Sequence, residues 1–569
     1  MGFFKKEVAP AAEDPVTDEK YDDVERQGSQ HVAIAEPSSV SKHSTKETDP
    51  EKGEVQLVEK AEMDHHHHYL LHVRAKKCPV WIHADSISSS ILTGLPAGAY
   101  GSGNDQMSAE FNVDNSGFPW LNWATTSWNM GAALFPLVFV PLTENTGRMP
   151  GYFISYIMFL IWLFPSAFAP NFATLIVTRF FGGGASSVSI NIVGGTITDI
   201  WKGPHERSIP MSIFGMTSVI GIALGPFIGG AIQRNLDWRW IYYIQLAFDG
   251  GCLPIFWLIL KETRGDVILA QRAKKLRKAG RNAYAKSELN RDSMVEMLKI
   301  SFKRPTKMLC TEFVVISFTL WVSFAWGILF LFQTSITQTF QENYGFSVFQ
   351  TSLIQLAISA GAVIATIINP LQDRLYLNSA RKNKERPGHP IPEARLYFAV
   401  PGSLIFTAGL FWYGWASYPH VHWSVPMLGV GAVGIGIYSI YLAVVNYLAD
   451  AYEKYAASAL SAASMGRNTF GAFLPLASPA LYRNLGFQWA SSLLGFIGLA
   501  LSVVPVILLL KGPQIRARSP FMSESTYDEE EATSRKSSYA SRTGRSGHHD
   551  RGSGMPGPSG QAVPAAART

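Results

Sequence analysis

Charge is scarce in this 569-residue chain: Asp, Glu, Lys and Arg together make up 16% of it, against 47% hydrophobic residues. A water-soluble domain carries nearer a quarter of charged residues, so an ordinary soluble enzyme is excluded and a bilayer is the expected solvent. Cysteine is almost absent. Cys78, Cys252 and Cys310 are odd in number and scattered, which gives no disulfide framework, and outside the histidines of the N-terminal tail no Cys/His cluster has zinc spacing. A phosphate-binding GxxxxGK[ST] loop and a nucleotide-fold pattern are also missing, so neither an ATP-driven pump nor any other enzyme is expected, and no cofactor is called for. The charged, Pro-containing N-terminus lacks the apolar stretch of a cleavable signal peptide.

What the chain does have is a set of long apolar runs. The mean hydropathy of +0.09 is low only because two polar tails, 1–78 and 512–569, dilute the middle. A membrane span needs about 20 mostly apolar residues. Eleven such runs are present, at 122–142, 151–169, 172–194, 208–232, 241–260, 308–333, 347–369, 397–415, 425–448, 457–482 and 488–510. A twelfth candidate at 82–101, IHADSISSSILTGLPAGAYG, is apolar only in its second half.

Basic residues cluster in alternate loops, as the positive-inside rule expects of the cytoplasmic side. The segment 261–307 holds fourteen Lys or Arg against five Asp or Glu, and 371–396 holds six Lys or Arg. Both are expected inside, while 102–121 and 334–346, without Lys or Arg, are expected outside; no Asn-x-Ser/Thr sequon falls in these outer loops. The N-terminal tail is then cytoplasmic only if 82–101 crosses. The segment 72–85, which stands where the inner half would be, puts Arg74, Lys76, Lys77 and Asp85 in or near hydrocarbon and predicts a short or irregular first span. Neither tail can bury enough apolar area to fold alone, and His65–His68 reads as low-complexity tail rather than a metal site.

Two strings, Pro141-Leu142-Thr143-Glu144-Asn145 and Pro370-Leu371-Gln372-Asp373-Arg374, follow equivalent spans two and eight. The expected architecture is an all-α membrane protein of two six-helix halves, 79–260 and 308–511, joined by the basic segment 261–307, with disordered cytoplasmic tails at 1–78 and 512–569.

The fifth span reads Gly221-Ile222-Ala223-Leu224-Gly225-Pro226-Phe227-Ile228-Gly229-Gly230. Glycine permits close helix approach, and Pro226 removes a backbone hydrogen bond. The fourth carries Leu175-Ile176-Val177-Thr178-Arg179-Phe180-Phe181-Gly182-Gly183-Gly184, and Trp238-Arg239-Trp240 opens the sixth. Asp199-Ile200-Trp201 with Glu206-Arg207 follows the fourth, and Asn446 to Tyr452 with Arg467 joins the tenth and eleventh. With these features the chain, over about residues 90–510, resembles the major facilitator superfamily, and in particular its fungal twelve-span drug and polyamine:proton antiporters.

The resemblance implies the major facilitator fold, a monomer in the plasma membrane or an organelle membrane, and a proton gradient as the energy source. Its partners are a bilayer, protons and a small organic substrate, and not nucleic acid. The implied antiporter motif is Gly221, Gly225, Pro226, Gly229 and Gly230. The implied gating loops contain Glu144, Gly147, Arg148, Asp199, Arg207, Asp373 and Arg374, with contacts that break when the transporter switches; several basic positions of the usual loop signature after span two are lost. Arg179 is implied in proton coupling. Asp249, inside the sixth span, is either a proton carrier or the partner of a neighbouring helix. Glu312 opens the seventh, where an acid suits a helix N-terminus. A cavity lined by spans one, four, seven and ten brings in Ser187, Asn191, Trp321, Trp326, Tyr438, Tyr441 and Asn446. Its aromatic character suits amphipathic or aromatic molecules and, by cation–π contact, organic cations. Export by alternating access is the leading expectation, with an uptake permease or a non-transporting sensor as alternatives.

Overall fold

The structure, a computed structural model, describes residues 56–57, 94–113, 118–201, 203–278, 280, 283–285, 288, 294–383 and 389–526. All of them belong to one unit, Val55–Thr569. The inner half of the first span with Asp85, nearly all of the expected N-terminal tail, and the chain beyond residue 526 lie outside the described residues.

Twelve long helices can be counted among the described residues, eleven over an expected apolar run, while the first shares only 94–101 with the candidate at 82–101 and continues into the expected outer segment 102–121. Helix α1 covers residues 94–111, tightening to a 3-10 turn at Tyr100–Gly103 before Asn104–Phe111. Next come α2 (Asn122–Thr146), α3 (Arg148–Ala167), α4 (Phe172–Ile200), α5 (Gly203–Gln233) and α6 (Arg239–Ile259). The second half contains α7 (Phe313–Tyr344), α8 (Val348–Asn378), α9 (Ala399–Ala416) and α10 (Ser424–Tyr452). A last long helical run breaks at Gly486, whose φ of 74° is non-helical, into α11 (456–485) and α12 (487–518, with a turn at Ser502). Among the described residues seven continuous helical runs are long and apolar enough to cross a membrane, and the last, Ser424–Arg518, contains three of the expected spans.

Local chemistry sets several helix starts. Asn171 accepts from the Thr174 amide at 2.8 Å and begins α4, and Ser347 with Gln350 forms a capping box at α8. The repeated Pro141 and Pro370 strings do not end their helices as expected. Both prolines lie inside α2 and α8, which continue to Thr146 and Asn378.

The two halves meet along two equivalent seams, α2 with α11 and α5 with α8, as a repeat that maps α2 onto α8 and α11 onto α5 requires. In the first seam Thr126 donates to the Ala472 carbonyl at 2.8 Å, Asn122 to that of Pro475 at 3.2 Å, and Asn468 to that of Ala132 at 3.0 Å. In the second, Asn369 reaches the Ser212 hydroxyl. Outward faces of α3, α6, α9 and α12 carry exposed Ile161, Phe164, Trp257, Leu258, Trp412 and Phe496, an apolar belt that belongs in lipid. Helix α7, by contrast, is buried almost throughout.

Parts of one expected loop and one expected tail are helical among the described residues. The basic segment 261–307 contains helices Gly265–Lys278 and Met294–Thr311, the second packed on both α2 and α11; Gln56 and Leu57 pair in parallel with Ala283 and Tyr284. Residues 512–526, expected as the start of the polar tail, are largely helical. Helix α12 runs on to Arg518, and a short helix, Pro520–Thr526, docks on the turn after α10. Its apolar Met522 is fully buried, and Phe521 packs edge-on against Tyr455 at 5.1 Å. Ser519 donates to the Glu312 carboxylate, which also accepts from Tyr452 at 3.2 Å.

A second negative charge at that point opposes docking. Ser519→Glu is therefore expected to release the terminal helix. The check is maleimide labelling of Met522→Cys in a chain whose three native cysteines are replaced: protection without Ser519→Glu, labelling with it. Equal protection in both would show that apolar packing alone holds the helix.

Candidate translocation site

Where the two halves face each other, a central cavity is left between α1, α2, α4, α5, α7, α10 and α11. It is lined by Gly94, Ala97, Trp128, Asn129, Ser187, Ser218, Trp326, Tyr441, Arg467 and Asn468, among others, and has a free volume of ≈ 40 Å³. That is room for about three waters, too little for an organic solute. The sequence pointed to α1, α4, α7 and α10; α2, α5 and α11 also contribute because the seams run along the cavity.

Arg179 on α4 is 1% exposed, beside the cavity and behind Trp128. Its Nε donates to the Ala124 carbonyl at 2.9 Å and one Nη to the Tyr242 hydroxyl at 3.2 Å, while the guanidinium lies 4.3 Å from the Tyr100 ring centre. Its other Nη has no partner. Gly183 makes this arrangement possible, since a side chain there would strike the Trp128 backbone and hold α2 away from α4.

Arg467 projects from α11 into the cavity wall. Its guanidinium stands over two aromatic faces, 4.4 Å from the Trp326 ring centre and 5.0 Å from that of Tyr441. An arginine inside the apolar run 457–482 was a legible signal, although the sequence reading placed Arg467 with a loop motif.

The glycine-rich stretch of α5 is the docking surface for α1. A side chain at Gly225 would strike Gly98 and Ala99, and one at Gly229 would strike the Ala99 carbonyl and Ser102. Pro226 leaves the Ile222 carbonyl without its usual helical donor, and Gly98 sits directly against that oxygen. Ser102 donates to the Pro226 carbonyl at 3.1 Å. Gly230 faces the other way, onto Ser352 of α8. Glu110 at the end of α1 is held by Trp238 Nε1 at 2.6 Å and by Arg239, which gives the Trp-Arg entry to α6 its task.

With this geometry, the model of the Major Facilitator Superfamily matches residues 87–446. The chain belongs to that superfamily. It is 36% identical over 393 residues to the efflux pump atB of Aspergillus terreus, covering 68% of this chain and 82% of that one. It is 35% identical over 409 residues to the transporter paaT of Penicillium rubens, covering 72% and 74%. The solved structure of the proton:xylose symporter XylE superposes with a TM-score of 0.54 at 15% identity, over 75% of this chain and 94% of that one, a likeness of fold alone. The protein is a multi-pass secondary transporter and not an enzyme.

In this transporter three of the expected gating residues, Arg148, Asp199 and Asp373, belong to two ion clusters. Arg148 Nε donates to Asp199 at 2.9 Å, and Arg264 reaches the other oxygen of Asp199 at 3.2 Å. Glu262 accepts from the backbone amides of Arg148 and Met149 at 2.9 and 3.2 Å. Gly147 is required here: its φ of 110° is in the region that favours glycine, and a side chain would strike the Glu262 carboxylate. In the other half Asp373 pairs with Arg395 at 3.4 Å, and Arg395 with Asp450 at 2.8 Å. Arg374, the expected neighbour, is exposed, because the next residue along α8 points away. Glu262 and Arg395 went unrecognised, since ion partners far apart in sequence leave no local pattern. Glu144 and Arg207 are half-buried.

Other expected site residues separate. Ser187, Trp326 and Tyr441 line the central cavity. Asn191 donates to the Ser187 carbonyl at 2.8 Å and accepts from Ser464 of the opposite half at 3.5 Å. Trp321 packs on Phe318. Tyr438 and Asn446 line a different cavity of ≈ 170 Å³ between α8, α9 and α10, with the Tyr438 hydroxyl donating to the Ser212 carbonyl at 3.2 Å. Asp249 lies between α6 and α3, away from the central cavity and fully buried; the Tyr156 hydroxyl donates to its backbone carbonyl at 2.9 Å. Glu312 lies at the start of α7, in the docking site of the terminal helix.

Proposed function

We propose that the transporter exports a small organic solute, such as a drug, toxin, polyamine or other secondary metabolite, in exchange for protons. The observation that carries this reading is the α1–α5 seam, in which Gly225, Pro226 and Gly229 of the antiporter-like motif each pack against α1, together with a related protein named as an efflux pump. Alternating access requires the two halves to rock about the central cavity, opening the α2–α11 and α5–α8 seams in turn. Substrate and proton must each favour a different facing state, since a ligand with equal affinity for both shifts nothing.

Asp249 is the candidate proton carrier, as a fully buried acid within a membrane-spanning helix and without an ion-pair partner among the described residues. Arg179, between α2, α4 and the ring of Tyr100 on α1, is the candidate link between that charge and the cavity. The plasma membrane is the proposed location, with both chain ends on the cytoplasmic side and the protein acting as a monomer. In proteoliposomes loaded with substrate, an imposed proton gradient is expected to drive flux, and a protonophore to abolish it. Flux that is indifferent to the protonophore would end the coupling claim.

A further inference from the structure

We infer that the substrates are organic anions, aromatic or alkyl carboxylates, and that Arg467 is the residue that binds their charged end. The inference rests on the transport reading above and adds the chemical class of cargo.

The aromatic faces that would attract an organic cation are already occupied. Trp326 and Tyr441, with ring centres 5.3 Å apart, both have the Arg467 guanidinium over them. An incoming ammonium group would have to displace a tethered cation and would meet like charge. Arg467 itself is 8% exposed and under-satisfied among the described residues: Nε has no partner there, and one Nη donates to the Ser464 hydroxyl at 3.4 Å. Among the described residues no carboxylate is within ion-pair distance of it, in contrast to Arg148, Arg395 and Arg516, which all have acidic partners. The second buried arginine, Arg179, likewise has a free Nη and no acidic partner among the described residues.

The described part of the site therefore holds positive charge without a counter-ion. Cation–π contact offsets only part of the cost of burying a guanidinium. The remainder is available to a ligand that brings a negative charge. A guanidinium offering Nε and Nη in one plane matches the two oxygens of a carboxylate. Trp128 and Phe330 in the same wall supply apolar surface for the body of the molecule. The cavity's ≈ 40 Å³ admits such a molecule only when the halves part, so the carboxylate would bind as a seam opens.

The test uses two probes of the same shape and opposite charge at pH 7, 4-phenylbutyrate and 4-phenylbutylammonium. Binding to the purified full-length chain in detergent is followed by tryptophan fluorescence. The carboxylate is expected to saturate the protein at a concentration at least about ten-fold below the ammonium, the scale of a bidentate charge-assisted contact. Arg467→Gln should weaken carboxylate binding about ten-fold or more, and Arg467→Lys, which keeps the charge but loses the fork, by less.

Equal or tighter binding of the ammonium, saturation by neither probe, or unchanged carboxylate binding in a folded Arg467→Gln protein would each overturn the inference. The wild-type comparison of the two probes decides the matter even if the variants do not fold. Binding in detergent needs no gradient, so it is separable from the export reading. Carboxylate binding without proton-driven flux in vesicles would sink export and leave the substrate class standing, whereas proton-driven flux of the ammonium alone would do the reverse.

Discussion

Gly98→Val is expected to abolish recovery of folded transporter. The first carbon of any side chain at position 98 would strike the Ile222 carbonyl, with Pro226 Cδ at 3.0 Å and the Gly225 Cα at 3.1 Å behind it. These are backbone and ring atoms, and none is the free end of a flexible side chain that could swing aside. Overpacking of a tight interior costs about 1–3 kcal/mol; with backbone on the opposing face the effect should reach the top of that range, and α1 would be pushed off α5. Gly101→Val, three residues along the same helix, is the matched control, since nothing lies within 4 Å of the position. Size-exclusion chromatography of detergent extracts should give a monodisperse peak for Gly101→Val and little or none for Gly98→Val. Similar peaks would mean that α1 docks less closely than the seam requires.

Asp199→Asn is the second large effect. Arg148 is 4% exposed, and its Nε depends on this carboxylate. Removing one partner of a buried ion pair leaves an uncompensated charge, which costs about 3–5 kcal/mol, and Arg264 loses its contact as well. Because the cluster binds the ends of α3 and α4 to the segment after α6, the loss falls on the cohesion of the first half. For a unit of that size a cost of this order lowers the melting temperature by roughly 6–20 °C. Glu110→Gln at the more exposed Arg239 pair, whose side chains are 38% and 23% accessible, should cost less than about 1 kcal/mol. A melting curve for Asp199→Asn no lower than that of Glu110→Gln would show that the buried pair is not a principal tie.

Parts of this architecture were plain in the sequence. The apolar runs gave the spans, because hydrocarbon selects about 20 apolar residues for each crossing whatever the neighbours are. Arg179 and Asp249 stand out as charges inside such runs, because their burial is costly enough to require a reason; Arg467 lies inside one too, but its resemblance to a loop motif hid that. The glycine spacing of α5 showed a close-packed face, although its occupant, α1, was visible only through a resemblance. Less was legible where polar composition was taken for loop or tail. Met294–Thr311 and Pro520–Thr526 are helices because apolar side chains such as Met308 and Met522 are buried on their packed sides, and a short one-sided stripe is faint beside a full span.

The sequence by itself determined that this chain crosses a membrane repeatedly, that its two halves repeat each other, and which helices can approach closely. Those properties depend on residue type and local spacing alone. Tertiary structure decided which charges have partners: Asp199 with Arg148, Asp373 with Arg395 rather than with its neighbour Arg374, and Arg467 with two aromatic rings and no acid among the described residues. Pairing depends on distances between helices far apart in the chain, and a separation of a few ångströms determines whether a buried charge is compensated or left to seek a ligand.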